Sequence, residues 1–279
     1  MSKPYPEISI ITPCFNQGQF LEETIRSVLS QKYPNLEYVV ADGGSTDGTL
    51  EILSRYQDDL TWISEKDRGQ SHAINKGMKM TSGEIIGFLN ADDLYEPGAL
   101  QAAGEYFACH PNAEWLTGKC RIIDQKGDEI RRLISLYKNA WLRLGIPHCL
   151  YLLNYVSQPA TFWRRDVLDR TGWFDETLCY ALDYDYWLRL NRTCGLSFLN
   201  RWLACFRVHP TSKSGSTTYA QFEEQFEVVQ RYTDSSFVLR LHALHNRVAT
   251  AVYQQMRNPG KASCISTFLA CLDGSQKPL

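Results

Sequence analysis

Residues 83–97 read GEIIGFLNADDLYEP, an apolar run that leads directly into two adjacent acidic residues. The apolar run has the composition of a buried strand. Asp92 and Asp93 follow at its exit, where two neighbouring carboxylates cost free energy unless a cation lies beside them. A divalent ion held through oxygen ligands would supply that charge, and such ions commonly bridge carboxylates to phosphates. The alternative is that one of the two aspartates caps the helix that Pro97 helps to begin.

Working outward from this stretch, strands and helices alternate through the first half of the chain. The predicted strands cover residues 7–13, 37–42, 60–65 and 84–89, and the predicted helices cover residues 19–30, 47–56 and 71–81. This alternation predicts an α/β fold with a mainly parallel sheet flanked by helices. Polar or glycine-rich turns follow the four strands, at residues 13–16, 42–45, 67–70 and 90–93. Since ligands bind at the carboxyl ends of such strands, the turns together predict a binding site.

After Pro97 the pattern is less regular. Residues 113–118 and 120–124 suggest strands, and residues 125–128 a turn. Residues 131–153 are too short and too charged to span a bilayer, and we interpret them as an amphipathic core helix rather than a membrane-surface element. A short helix is predicted over 182–190 and a helical segment from 219 to about 256, ended by residues 258–260. The less regular second half thus ends in a predicted helical C-terminal extension over 216–279, and the domain over 1–215 is the part that would be catalytic if the motifs it contains are those of an enzyme.

Composition and the absence of certain motifs disfavour several classes of protein. The chain has 279 residues, 44% of them hydrophobic, and a formal net charge of -2, which argues against a nucleic-acid protein driven by bulk electrostatics. Its nine cysteines include no C-x-x-C pair, a usage typical of reduced thiols in the cytoplasm rather than of disulfides or a zinc site. The first residues lack an apolar signal segment, and no apolar run of eighteen residues occurs. Neither a P-loop nor a G-x-G-x-x-G fingerprint is present, which disfavours kinases, ATPases and dehydrogenases.

Four motifs occur in succession: PCFNQGQFLEETIRSVLSQ at 13–31, DGGSTDGT at 42–49, DRGQSHAINKG at 67–77 and GEIIGFLNADD at 83–93. In this order and spacing the chain resembles the family 2 inverting glycosyltransferases over roughly residues 5–215. The resemblance implies the GT-A fold, whose sheet is Rossmann-like, and transfer of a sugar from a nucleotide-diphosphate donor, most often UDP-linked. It also implies Mn²⁺ or Mg²⁺ as cofactor and a saccharide or lipid-linked saccharide acceptor in cell-surface polysaccharide or lipopolysaccharide synthesis. The expected location is the cytoplasm, and peripheral contact with the inner face of the membrane stays open.

The resemblance also implies roles for individual residues. Asp42 would accept a hydrogen bond from the nucleotide base, in preference to shaping only the turn that follows it. Arg68 would approach the diphosphate or the base, its alternative being a surface ion pair with Asp67. Gln158 would face the donor sugar or the acceptor. The residues expected to contact the nucleotide are Thr12, Pro13, Asp42, Arg68, Asn75, Asp92, Arg207 and Lys213.

The metal ligands that the resemblance implies are Asp92, which would hold the ribose or the metal, Asp93, and His209 in the segment FRVHPTSKS at 206–214. Asn90 stands where many relatives have a first aspartate, and it supplies an oxygen without a charge. A metal is expected because the departing nucleoside diphosphate gains negative charge, which a divalent ion neutralises as a Lewis acid.

The general base is expected in CYALDYDYWLR at 179–189, which resembles the E-D-x-D-x-W-x-R segment of the family with Leu182 in place of the glutamate. The acceptor hydroxyl must lose its proton as it attacks, which calls for such a base. On a helix Asp183 and Asp185 point about 200° apart, so they are not expected to share a role. Asp185 precedes Arg189 by four residues, the spacing of a structural ion pair. Asp183 aligns with the base of the family.

Two other functions are weighed against this one. A sugar nucleotidyltransferase would have a glycine- and arginine-rich loop after its first strand, where residues 13–16 read PCFN. A catalytically inactive sugar-nucleotide-binding protein would bind UDP without turnover, and the sequence leaves that alternative open.

Overall fold

The computed structural model describes residues 5–212 and 218–257, without the side chains of residues 218, 219 and 254–257. Lys213, predicted to bind the nucleotide, and the predicted helix end at 258–260 lie outside the described residues.

One mixed sheet forms the centre of the described chain. Its order is β3-β2-β1-β4-β8-β6-β9-β5, with β7 paired to β6. The first four strands are mutually parallel, and β8 joins β4 to β6 in antiparallel pairing. Beyond them β9 runs parallel to β6, and β5 runs antiparallel to β9. The strands are β1 (Ile8–Cys14), β2 (Leu36–Asp42), β3 (Thr61–Ser64), β4 (Ile85–Phe88), β5 (Leu94–Tyr95), β6 (Trp115–Ile123), β7 (Glu129–Ile130), β8 (Thr161–Arg164) and β9 (Leu196–Arg207).

Helices cover the sheet and extend the fold at its C-terminal end. The α-helices are α1 (Leu21–Leu29), α2 (Thr49–Arg55), α3 (Gln70–Lys79), α4 (Ala99–Cys109), α5 (Arg132–Leu144), α6 (Leu168–Thr171), α7 (Leu182–Thr193), α8 (Thr218–Gln230) and α9 (Ser236–Arg257). Short 3₁₀ turns occupy Pro147–Tyr151, Gln158–Ala160 and Arg165–Val167.

The close approach of α3 to β1 illustrates how the sequence fixes this packing. All seven residues of β1 are buried, as expected for a central strand covered on both faces. A Cβ at Gly77 of α3 would lie 2.4 Å from Cγ2 of Ile11 in β1. Glycine therefore lets the helix settle on the strand, and this holds the start of α3 beside the carboxyl end of β1.

The predicted elements of the first half are confirmed within one or two residues at each end. One prediction for the second half was wrong. Residues 131–153 are not one core helix, because Gly145 adopts a left-handed φ of 61° after α5 and Pro147 begins a 3₁₀ turn. The helical segment predicted from 219 to about 256 is confirmed, and it consists of two helices, α8 and α9.

The strand pattern around residue 119 also differs from the prediction. The two strands expected over 113–118 and 120–124 are one strand, β6, whose pairing with β9 is irregular at Gly118 and Lys119. The turn predicted at 125–128 is confirmed, and Gly127 adopts a left-handed φ of 91° there. Val228 and Val229 of α8 are fully buried in the same core cluster as α7. The division into domains at residue 215 stays a prediction.

Candidate functional site

A cavity of about 900 Å³ lies at the carboxyl ends of β1 and β4. Its volume is that of a site for a small organic ligand. Pro13, Asn90 and Asp92 line it from the turns after these strands, and Asp67 and Gln70 line it from the start of α3. The opposite wall comes from α5, the start of α7, α8 and α9. The predicted position of the site, at the strand ends, is thus where the fold has its large cavity.

The structure brings Asp92 and His209 together across 117 residues of sequence. His209 Nε2 lies 3.0 Å from Asp92 Oδ2, and its other ring nitrogen, Nδ1, lies 2.9 Å from the hydroxyl of Thr211. His209 is buried and packs its ring on Phe20, with 4.6 Å between the ring centroids. Asp92 lines the cavity, and His209 lies buried beside it, so an oxygen and a nitrogen that could both bind a metal stand next to each other behind this wall.

Asp93, by contrast, lies beneath the turn and is fully buried. Its Oδ1 accepts a hydrogen bond from the backbone N–H of Arg207 at 2.8 Å, and its Oδ2 accepts one from Asn90 Nδ2 at 3.1 Å. Burial first, and then the neighbouring Asp92 carboxylate, raise the pKa of Asp93 well above its usual value. Neither aspartate caps α4, whose N-cap residue is Gly98. In this arrangement Asp93 anchors the turn, and Asp92 is the aspartate that reaches the cavity.

Arg207 joins the end of β9 to this turn. Besides its backbone bond to Asp93, its Nε donates to the carbonyl oxygen of Asp92 at 2.8 Å. Its terminal nitrogens donate to the carbonyls of Asp124 and Gln125 and to the Glu23 carboxylate. The side chain is 1% exposed. Predicted to contact the nucleotide, Arg207 lines the cavity but directs its donors to protein groups, which fixes the turn that carries Asp92.

Asn90 is the centre of a second hydrogen-bond network. Its Nδ2 donates to Asp93 and, at 3.0 Å, to Gln158 Oε1, and its Oδ1 accepts from Gln70 Nε2 at 2.7 Å. Gln158 in turn donates to the carbonyl oxygen of Phe88, at the end of β4. An aspartate at position 90 could not donate to Asp93, so the amide suits a position beside a buried carboxylate.

Asp183 lies at the first turn of α7, on the wall of the cavity that faces the strand ends. It is partly buried, and its Oδ1 accepts a hydrogen bond from the backbone N–H of Tyr184 at 2.7 Å. Burial raises the pKa of Asp183, and the positive charge of Lys138 and a hydrogen bond from Asn154 oppose that rise. Burial also lowers the pKa of Lys138, whose ammonium donates to the carbonyl of Val156 at 3.2 Å. A carboxylate with a raised pKa on a cavity wall has the properties of a proton acceptor.

Asp185 points away from the cavity, as the helix geometry predicts. Its Oδ2 accepts from Arg189 Nε at 3.0 Å and lies 2.8 Å from Arg189 Nη2, which confirms the predicted ion pair. Its Oδ1 accepts from the hydroxyl of Tyr232 at 2.6 Å, an interaction that ties α7 to the end of α8. Asp185 thus stabilises packing, whereas Asp183 is available to a ligand.

At the ends of β1 and β2, the predicted nucleotide residues divide between the cavity wall and the protein interior. Pro13 lines the cavity, whereas Thr12 is fully buried, its hydroxyl 3.1 Å from that of Tyr38. Asp42 is also fully buried and accepts hydrogen bonds from Ser64 and from the backbone and side chain of the turn residues that follow it. These bonds show the turn-forming role of Asp42, and its binding role stays a prediction.

Arg68 and Asn75 do not line the cavity, and both contact the carboxylate of Glu176. Arg68 forms an ion pair with Glu176 rather than with Asp67, and its side chain is 69% exposed. Asn75 Nδ2 donates to Glu176 Oε1 at 3.1 Å, and its amide also exchanges two hydrogen bonds with the backbone of Phe174. Both residues hold the loop before α7, and their contact with a nucleotide stays a prediction.

Lys138 and Asn154 are the residues that sequence reasoning missed. Both line the cavity beside Asp183 and come from a region without a recognised motif. The available signal was weak, since Lys138 is one of several cations in residues 131–153. Only the packing of α5 over β6 brings its ammonium to this wall.

The residues at this turn can be compared with the ligands that a divalent ion requires. In the ranges 5–212 and 218–257, no three carboxylate, imidazole or thiol groups lie close enough to hold an ion by themselves. Asp92 and His209 supply two ligands 3.0 Å apart, and two adjacent ligands of an octahedral ion with bonds of about 2.1 Å are separated by about 3.0 Å. The pair could therefore supply two ligands to such an ion, and the remaining ligands would have to come from a bound diphosphate or water.

Comparison with known sequences gives consistent matches. Residues 9–172 match the family model described as glycosyl transferase family 2. An uncharacterised glycosyltransferase of Rickettsia typhi is 30% identical over 222 residues, which cover 78% of this chain and 69% of the relative. Chondroitin synthase of Escherichia coli is 28% identical over 81% of this chain and 32% of the synthase.

Solved structures share the fold. The mannosyltransferase PcManGT of Pyrobaculum calidifontis, in complex with GDP-Man and Mn²⁺, superposes with a TM-score of 0.69 at 20% identity, over 97% of this chain and 80% of that one. Staphylococcus aureus TarS 1–349, in complex with UDP-GlcNAc, gives a TM-score of 0.63 at 19% identity, over 91% of this chain and 73% of that one. The mixed sheet flanked by helices is therefore the GT-A fold.

Proposed function

This chain belongs to glycosyltransferase family 2, and from that membership we propose that it is a metal-dependent inverting enzyme that moves a sugar from a nucleotide-diphosphate donor to an acceptor hydroxyl. The observation that carries the proposal is the cavity, because one wall holds Asp92, with His209 Nε2 3.0 Å from its carboxylate, and the opposite wall holds Asp183. One group of residues can hold the leaving diphosphate while the other activates the acceptor.

On the donor side, Asp92 and His209 would hold the ion together with the diphosphate. The ion, when bound, neutralises the charge that builds up on the leaving group. The residues of this chain supply the position. Arg207 and Asn90 fix the turn after β4, and Phe20 packs on the ring of His209. Such preorganisation matters because ligands held in place need not be reoriented during the reaction.

On the acceptor side, Asp183 would take the proton of the attacking hydroxyl. A single base suffices for inversion, since the hydroxyl attacks from the face opposite the leaving group and no covalent intermediate with the protein forms. The Lys138 charge opposes the effect of burial on Asp183, and the bond from the Tyr184 N–H fixes its carboxylate. The arrangement thus limits the rise in the pKa of Asp183 that burial causes.

We further propose a UDP-linked donor and an acceptor that is a saccharide or lipid-linked saccharide of cell-surface polysaccharide synthesis, met at a membrane surface. Support comes from TarS, whose complex contains UDP-GlcNAc, and from the similarity to chondroitin synthase. PcManGT, in complex with GDP-Man and Mn²⁺, makes a guanine donor the first alternative. Within the proposal, Asp42 would exchange one of its turn hydrogen bonds for one to the base.

Calorimetry with UDP- and GDP-sugars, each with Mn²⁺ and with EDTA, tests the donor and the ion. We expect a UDP-sugar to bind with Mn²⁺ and much more weakly with EDTA, and we expect Asp92→Asn to reproduce the loss. Asp67→Asn is the matched control, because Asp67 also lines the cavity but lies outside the proposed ligand pair. Equal affinity with Mn²⁺ and EDTA would remove the ion from the proposal.

Turnover separates an enzyme from an inactive binding protein. Slow hydrolysis of the bound donor, measured as release of nucleoside diphosphate, requires no knowledge of the acceptor. We expect such release from the unmodified chain and a sharp reduction in Asp183→Asn. Tight binding of the donor without any release, even after addition of saccharide acceptors, would favour the inactive alternative.

A further inference from the structure

Helix α5 has its apolar face turned outward. The residues that it buries include Ser135 and Asn139, and within the described part of the chain Ser135 Oγ and Asn139 Nδ2 have no hydrogen-bond partner. Leu142 is also buried, and Ile134 and Trp141 are partly buried, but five other large apolar side chains of the helix and of the turn after it are exposed. They are Leu133 (76%), Leu136 (58%), Tyr137 (43%), Leu144 (60%) and Ile146 (46%). A core helix would show the reverse pattern, so this face is suited to a partner.

The charged residues on α5 and on the neighbouring helix α9 are all basic. No aspartate or glutamate occurs between Glu129 and Asp166 or anywhere in residues 235–257, although the whole chain has a net charge of -2. Helix α5 and the residue before it carry Arg131, Arg132, Lys138 and Arg143, and α9 carries Arg240, Arg247 and Arg257. The two helices meet where Tyr137 stacks on His245, with 6.3 Å between the ring centroids. They therefore form one surface to which neither helix contributes an acidic residue.

Several cations of this surface lack a compensating carboxylate. Among the described residues, Glu129 pairs with Arg132 and with Arg121, whereas Arg131 and Arg143, and Lys119 of the neighbouring strand β6, form no ion pair. Burial, and then the positive charges of Arg143 and Arg121, lower the pKa of Lys119. Cations that repel one another beside exposed leucines attract an anionic partner that also accepts apolar side chains.

The same surface forms the rim of the cavity. Leu133, Tyr137 and Val252 line the cavity and are also at least 43% exposed, which places them at its mouth. Lys138 lies further inside, on the wall that carries Asp183. A partner seated on this surface would thus meet the opening that leads to the proposed general base.

We propose that α5, together with the adjoining face of α9, docks this protein on an anionic membrane surface, with Leu133, Leu136 and Leu144 inserted among the acyl chains and the basic residues at the headgroups. The combination of outward leucines with flanking arginines is that of an interfacial helix. In the described chain, no helix has the length and apolar character needed to cross a bilayer. Docking would bring a lipid-linked acceptor to the mouth of the cavity, a role that rests on the proposed function, whereas binding to vesicles does not depend on turnover.

Co-sedimentation of the full chain with vesicles tests the docking surface. Vesicles of phosphatidylcholine alone are compared with vesicles in which a third of the lipid is phosphatidylglycerol, at low and at high salt. We expect binding to the anionic vesicles that weakens as salt rises, because salt screens surface charges. Leu136→Gln with Leu144→Gln should weaken partition by about tenfold or more, and Arg143→Gln by about fivefold, the scale of one basic residue at an anionic surface.

Matched controls exclude a general effect of the substitutions. Met80→Gln removes an apolar side chain that is 36% exposed elsewhere, and Arg26→Gln removes an exposed cation of α1. Neither should change partition. Since Leu136 and Leu144 do not line the cavity, the double variant should also keep the nucleotide-sugar binding of the unmodified chain, which separates a failure of docking from a failure of the proposed function.

Hydrogen exchange over residues 132–146 identifies the occupant. The proposal expects slow exchange only when anionic vesicles are present, with residues 21–29 unchanged. It is overturned if the chain binds neither kind of vesicle, or if the double substitution leaves its binding to the anionic vesicles unchanged. It is also overturned if ultracentrifugation shows a dimer that the double substitution dissociates, because the face would then join two copies of the chain.

Discussion

Asparagine substitutions at Asp183 and at Asp185, made separately, should have different effects: the first should reduce turnover and the second should reduce stability, although both residues lie in one turn of α7. Asp183 lines the cavity, and loss of a general base typically reduces turnover by about 10²–10⁴-fold. Donor affinity should stay unchanged. Because burial raises the pKa of Asp183, the folded state resists its ionisation and loses stability as pH rises through that pKa. Asparagine keeps the bond from the Tyr184 N–H without the charge, so Asp183→Asn should be as stable as the unmodified chain at neutral pH, or more stable.

Asp185→Asn should have the opposite profile. The side chains of Asp185 and Arg189 are only 3% and 20% exposed, and removing one partner of a buried ion pair costs about 3–5 kcal/mol. Asparagine keeps one oxygen and can still meet Tyr232 or Arg189, which reduces the expected cost to about 2–3 kcal/mol. For a chain of 279 residues this lowers the melting temperature by about 3–5 °C. Turnover per folded molecule should be nearly unchanged.

The assay combines donor turnover with urea unfolding of both variants, under conditions where each is folded. Circular dichroism before each kinetic run establishes that the fold is intact. The assignment of the base is refuted if folded Asp185→Asn has lost turnover while Asp183→Asn retains it. If both variants lose turnover equally without loss of stability, the separation of roles along α7 is wrong.

Three further predictions concern the remaining parts of the site. His209→Ala should weaken nucleotide binding more with Mn²⁺ than with EDTA, since the proposed contact runs through the ion; calorimetry that shows the same loss in both buffers would contradict this. Lys138→Met removes a charge that opposes the raised pKa of Asp183, so the acid limb of the turnover profile should move to higher pH, and a limb that stays in place or moves to lower pH would contradict the coupling. Asn90→Asp removes the hydrogen bond that Asn90 donates to Asp93 and places a third carboxylate at the turn. The free energy of unfolding, measured with urea, should fall by about 2–3 kcal/mol with EDTA and by less with Mn²⁺. An equal or greater fall with Mn²⁺ would argue against an ion at this turn.

The parallel half of the fold could be predicted because its signals are local. Each of the first four strands is a short apolar run that is followed by a polar turn. Each intervening helix has apolar residues at helical spacing. Strand β9 was not predicted, because its burial follows from pairing with β6 and β5 rather than from an apolar pattern of its own. The outward apolar face of α5 was also missed, since periodicity shows that a helix is amphipathic but not which way it faces.

For the site, the sequence by itself determined which residue types stand at the strand ends and in α7, and even that Asp183 and Asp185 point apart. Only the tertiary structure decided which of them meet. It set Asp92 against His209, turned Asp93 inward to the backbone of Arg207, and brought Lys138 to the wall that carries Asp183. The physical reason is that spacing along the chain fixes directions within one element, whereas contacts between elements depend on how β9 and α5 pack against the sheet.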